Sequence, residues 1–258
     1  MPWPDFPLAF YPVAVVAILL TGISKGGFGT GAGGLAVPLL SIFIAPFEAA
    51  GIMLPILCAM DLFGVHAYRG RWSRAHLKAL LPGALAGIAA GAFAFGMLPV
   101  AAIRLIIGVI AITFALNQWF GLTERIAARL AAQRDRPGRL AGFVWGSLSG
   151  FTSTLAHAGG PPFAVYMLPQ KLDKTVLVAT SAVFFLAVNY VKLVPYQLLG
   201  QLNAGNLAAA LLFAPLAPLG IWLGVWLHRR VSERAFYNVS YVLLLATGLK
   251  LVWDALAL

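Results

Sequence analysis

The sequence predicts an all-α polytopic membrane protein made of two inverted-topology repeats, and three observations predict it. Of the 258 residues, 61% are hydrophobic and 10% charged, and mean hydropathy is +0.89; soluble domains run nearer about 45–50% apolar and about 25% charged. Apolar runs recur near the ~20 residues a spanning helix needs, and the alternating segments of an outer-membrane barrel are absent. The two halves also carry the same Gly/Pro punctuation, in loops of opposite charge bias.

Ten apolar segments can be marked. The first five are Leu8–Lys25, Gly33–Pro46, Ala49–Tyr68, His76–Leu98 and Ala102–Phe120. The second five are Leu140–Ala158, Gly160–Pro169, Thr175–Tyr196, Ala204–Leu227 and Arg234–Leu256. The second and seventh are too short to span, because at ~1.5 Å per residue a ten-residue helix covers about half of a ~30 Å hydrocarbon core. Each half therefore reads as three full spans plus a broken or short helical hairpin. The expected organisation is a first repeat over 1–120, a basic cytoplasmic linker over 121–139 and a second repeat over 140–258. The N-terminus lacks the basic start of a signal peptide, so the first segment is expected to be retained.

Loop charges set the expected sidedness. The linker, Gly121–Arg139, carries five arginines against Glu124 and Asp135, which places it in the cytoplasm by the positive-inside rule. The loop Arg69–Lys78 carries four basic residues and no acid, and "HRRVSER" at 228–234 is also basic. The uncharged loop Gly200–Leu207 and both termini read as outside. These loops account for most of the net charge of +10, so no nucleic-acid partner is expected.

The repeat is legible in detail. "GISKGGFGTGAGGLAVPLL" from Gly22 resembles "GSLSGFTSTLAHAGGPPFAVYML" from Gly146. Ser24 lies opposite Ser149, Phe28 opposite Phe151, and Gly33-Gly34 opposite Gly159-Gly160. Further on, "GRWSRAHL" at Gly70–Leu77 aligns with "GQLNAGNL" at Gly200–Leu207 without a gap. Homologous loops of opposite charge bias lie on opposite membrane faces, the mark of an inverted repeat.

Helix breaks at membrane depth are tolerated only where they line a protein-enclosed cavity, and breaks at matching positions point to a transporter's binding site. The candidates are 26–34 and 149–161. A helix N-terminus following each break would offer free N–H groups and positive dipole to an anion, and Pro161 or Pro162 suits a first helical turn. Ser24, Lys25, Gly27, Thr30, Gly33 and Gly34 stand at the first break. Ser149, Thr152, Ser153, Thr154, His157, Gly159 and Gly160 stand at the second. Lys25 reads either as the counter-charge for a small anion or as a residue snorkelling to the cytoplasmic interface. His157 reads as an anion ligand, a proton carrier or a hydrogen-bonding group within the bundle.

Two more ionisable residues sit in apolar runs and are functional candidates. Asp61 is suited to carry a coupling proton or to pair with Lys25. Lys192, beside Asn189 and Tyr190, reads as an interfacial residue at the outer end of its helix. Pro55 and Pro195 are expected to mark kinks. Trp3, Trp72, Trp119 and Trp253 fall near segment ends, as belt anchors do. Cys58 reads as a small packing residue with no disulfide partner. No HExxH or Walker motif is present, so neither enzymatic activity nor a metal or other cofactor is expected. "GGFGTGAGG" lacks the preceding strand a nucleotide site requires.

The Gly-rich break followed by Val-Pro-Leu-Leu in the first half, and Gly-Gly-Pro-Pro in the second, resemble the sulfite exporter TauE/SafE family of membrane permeases, from about Leu8 to Leu256. The resemblance implies transport of small sulfur-containing anions, such as sulfite and sulfonates, across the bacterial inner membrane, usually outward and without ATP. This chain departs from the family pattern in having Gly33-Gly34 for a triple glycine and His157 for a smaller residue. The expected mechanism holds the anion between the two breaks and rocks one repeat against the other. The expected partners are the anion and the lipid bilayer; protons are a candidate coupling ion and a homodimer a candidate assembly. An anion channel or an uptake permease is the alternative.

Overall fold

The computed structural model describes residues 6–28, 34–133, 138–227 and 233–257, and these are helical with no strand among them. Five helices are long and apolar enough to cross a membrane: Pro46–His66, Arg74–Met97, Val100–Asn117, Thr175–Leu198 and Asn238–Leu256. A sixth candidate is a pair of helices, Ala204–Phe213 and Leu216–Gly224, bent by 42°. Counting that pair, three span candidates fall in each half.

In the first half, α1 (Phe10–Ile23) runs into a π-helical turn, Ser24–Phe28, and is followed by the short α2 (Ala36–Leu40). Then come α3 (Pro46–Ala67), α4 (Arg74–Met97) and α5 (Val100–Phe120). The linker contributes α6 (Leu122–Gln133). The second half is α7 (Arg139–Ala156), α8 (Gly160–Met167), α9 (Lys174–Leu198), α10 (Ala204–Phe213), α11 (Leu216–Leu227) and α12 (Glu233–Leu256).

Local chemistry sets these boundaries. Pro46 occupies the first turn of α3, where its missing N–H is no loss, and the Glu48 carboxylate accepts from the Ala45 N–H at 3.2 Å. Gly121 ends α5 in the left-handed conformation, φ 61°. Pro215 cannot donate a helical hydrogen bond, and it separates α10 from α11 where the apolar pattern reads as one segment. Helices α3 and α9 continue through Pro55 and Pro195. Asp173 caps α9, accepting from Thr175 N–H at 2.8 Å and Val176 N–H at 3.4 Å. Asp173→Ala is expected to lower stability by about 1 kcal/mol; a thermal unfolding midpoint in detergent that stays at the wild-type value would contradict this.

The aligned loops share a backbone feature. Gly70 and Gly200 both adopt positive φ, 75° and 69°, a conformation glycine enters without steric penalty. Packing follows the same correspondence. Helix α4 packs on α7 as α11 packs on α1, and α4 meets α9 as α10 meets α3. Counterpart helices run antiparallel: on α3 and α9, Gly64 faces Ala182 and Asp61 bonds Asn189. On α5 and α12, Gly108 faces Val252, and Gly248 faces Ile112.

The closest helix pair is α4 with α7. Gly83, Gly87 and Gly91 face Phe143, Ser147 and Thr154, while Gly142, Gly146 and Gly150 face Ala79, Leu80 and Ala84. A Cβ at Gly87 would run into the Ser147 carbonyl oxygen. Small residues at four-residue spacing let helix backbones approach where lipid supplies no hydrophobic drive between helices. Position numbers rise together along both helices, so the pair is parallel. Exposed Phe93, Trp222, Trp226 and Trp253 present apolar surface outward, as a bilayer-embedded bundle does.

Candidate functional site

Gly34, the last residue of the first break, packs on Ala158 in the second, so close that a Cβ at Gly34 would lie 2.6 Å from the Ala158 Cβ. Helix α7 ends at His157, which adopts the left-handed conformation at φ 52°. His157 N–H donates to Ser153 O at 3.0 Å, and Ala158 N–H to Thr152 O at 3.2 Å. A left-handed non-glycine residue costs roughly 1–2 kcal/mol, so side-chain contacts must hold the ring. They do. His157 Nε2 lies 3.0 Å from Ala50 O of α3, and Nδ1 lies 2.7 Å from Lys192 Nζ of α9. A carbonyl accepts and an ammonium donates, so these contacts place the ring hydrogen on Nε2 and make Nδ1 the acceptor.

Lys192 is fully buried. As an ammonium it also donates to Ser153 O and Ser153 Oγ, both at 3.0 Å, and lies 6.0 Å from the Tyr196 ring centre, within cation–π range. Its hydrogen-bond partners are therefore neutral, and among the described residues no carboxylate pairs with it. The expected interfacial placement of Lys192 is thus not found; its helix continues to Leu198 and packs between α3 and α4. Tyr196 O–H donates to Thr154 O at 2.5 Å.

Lys25 lies on the π-helical turn, a feature often found at functional sites. Its ammonium pairs with the Asp61 carboxylate of α3, and Asn189 of α9 donates to the other Asp61 oxygen at 2.6 Å. Lys25 therefore reaches across to the neighbouring helix α3. Cys58, one turn before Asp61, is buried. The cluster thus sets two basic side chains against one carboxylate, a donor-rich set suited to holding a small anion.

The structure brings Lys25, Asp61, Ser153 and His157 into one neighbourhood, with Ser24 buried on the same turn as Lys25. Gly27 lies on that turn as well. Ser149 Oγ donates to Gly159 O at 2.7 Å and closes the second break, after which Gly160 opens α8. Thr152 and Thr154 donate to Leu148 O and Gly150 O of their own helix, both at 2.8 Å. Thr30 and Gly33 lie outside the described residues. The short helix of the first break is only Ala36–Leu40, so the expected pair of convergent N-termini reduces to α8. Lys192 joins the cluster although the sequence reads it as interfacial, and Asn189 and Tyr196 join it without being singled out as site residues by the sequence. Their spacing of three and four residues puts them on one face of α9, a signal that was available.

The family model for sulfite exporter TauE/SafE matches residues 14–251. The chain belongs to the sulfite exporter TauE/SafE family. Neither the comparison with curated proteins nor that with solved structures returns a match. Membership makes this TauE/SafE chain a multi-pass membrane transporter of a family associated with sulfur anions such as sulfite, and a permease rather than an enzyme. Its span candidates agree with that assignment.

Proposed function

We propose that this TauE/SafE protein is a secondary transporter that exports small organosulfur oxyanions, sulfite or sulfonates, across the bacterial inner membrane by alternating access. The anion sits where the two glycine breaks meet, between Lys25 and Lys192, within reach of the Ser153 hydroxyl. The observation carrying this reading is the buried Lys192 amine, whose hydrogen-bond partners among the described residues carry no charge. The antiparallel packing of α3 on α9 and α5 on α12 supports two inverted repeats, with the linker in the cytoplasm and both termini outside. Such repeats commonly bind substrate at their interface near the midplane, where α3 and α9 cross.

Purified protein in liposomes is expected to carry sulfite and sulfoacetate with saturable kinetics. Lys25→Gln is expected to raise the half-saturating sulfite concentration roughly tenfold or more, as the loss of a charge-assisted contact worth about 1.5–3 kcal/mol implies, and His157→Gln to raise it less, by disturbing the group that positions Lys192. Flux that never saturates would favour a channel. Unchanged kinetics in both variants would remove these side chains from the site.

A further inference from the structure

We propose that Asp61 is a proton carrier released by the substrate: the anion replaces Asp61 on Lys25, and the freed carboxylate takes up one proton. This rests on reading the cluster as the anion site. The Lys25 side chain is 22% exposed and that of Asp61 only 5%, so Lys25 is the end of the pair that an incoming anion reaches. Among the described residues, Lys25 is also the carboxylate's only hydrogen-bonded cation.

Once an anion holds Lys25, Asp61 keeps a single neutral donor among the described residues, Asn189. The other described groups around it offer no replacement. Cys58 stands on its own helix, and Lys192 on α9 directs its hydrogens to Ser153 and His157. A buried carboxylate without a counterion neutralises by taking up a proton. Asn189 tolerates either state, because an amide can donate to a carboxylate or accept from a carboxylic acid. His157 is not the carrier, since both ring nitrogens are engaged, one by Ala50 and one by Lys192.

The step balances. The ion pair of Lys25 and Asp61, plus one monoanion and one proton from water, becomes an ammonium–anion pair and a carboxylic acid. The charge of the site is unchanged, so the anion and proton cross together as an electroneutral load.

Two measurements test this. Wild-type protein in liposomes is assayed for sulfite flux at mildly acidic pH, where hydrogensulfite dominates, under a pH gradient and a potassium–valinomycin potential imposed separately. The pH gradient is expected to drive flux and the potential to leave it unchanged; flux that follows the potential overturns the proposal without recourse to any variant. Sulfite binding to detergent-solubilised protein is then measured by calorimetry in buffers of different ionisation enthalpy. The wild type is expected to take up one more proton per sulfite than Asp61→Asn, with the anion's own ionisation cancelling in the difference. Asp61→Glu is expected to restore that proton, and the flux of Asp61→Asn to become sensitive to potential. Equal proton uptake by the wild type and Asp61→Asn overturns the proposal. A wild type that binds no sulfite overturns the site reading itself, and this inference with it.

Discussion

Replacing Lys192 with methionine is expected to weaken sulfite affinity roughly 10- to 150-fold while leaving the protein folded. The estimate takes about 1.5–3 kcal/mol for a hydrogen bond to a charged group, with 1.4 kcal/mol per tenfold. Methionine is close to lysine in length and suits an apolar gap, so the loss is chiefly charge. Ser153 and His157 Nδ1 would each lose a donor, a secondary effect confined to the same spot. Lys192→Arg is not expected to rescue, because a planar guanidinium does not fit where a compact ammonium makes three bonds. The readout is the half-saturating sulfite concentration in liposomes, with monodispersity in detergent as the folding control. A folded Lys192→Met protein with wild-type kinetics would leave the anion site without its central charge.

Substituting leucine for Gly87 is expected to have the largest structural effect in the molecule. Its missing Cβ is the space occupied by the Ser147 carbonyl oxygen and the Phe151 N–H, and backbone cannot yield as a flexible side chain does. Overpacking a tight contact costs typically about 1–3 kcal/mol, and here a whole side chain must enter. Helices α4 and α7 would separate, displacing Ser153 and His157. Failure to recover monodisperse protein is the expected outcome. Gly64→Ala is the control, since its Cβ would meet only the Ala182 methyl at 3.6 Å, an ordinary contact. Comparable destabilisation by both variants would show that close helix approach is not the cause.

The membrane class, the segments and the duplicated breaks were legible in the sequence because they rest on local quantities: apolar length, Gly/Pro punctuation and loop charge. Helix α6 was not read as a helix because its charges dominate, although Leu122, Ile126 and Leu130 recur at four-residue spacing. That segment packs against α8. Lys192 was misplaced for a different reason. Distance along a helix suggests depth in the membrane, but burial is decided by the neighbours that tertiary packing supplies. The site's decisive contacts are also remote in sequence: Lys25 finds Asp61 36 positions away, and His157 finds Ala50 at 107. No local pattern encodes either meeting; the pairing of Lys25 with Asp61 was foreseeable only as one option for two costly charges.

The glycine clasps determine which parts can move as one. Helix α7, the broken helix of the second half, is locked against α4 of the first. Its counterpart α1 is locked against α11 of the second, with Gly22 facing Gly220 and Gly26 facing Ile221. Pulling the two halves of the chain apart would strip both clasps at once. The mechanical units are therefore crossed pairs, each joining a broken helix to a span borrowed from the opposite half. Under the proposed rocking mechanism, the hinge would lie between those exchanged pairs, at the α3–α9 crossing, and not between the first and second halves of the chain.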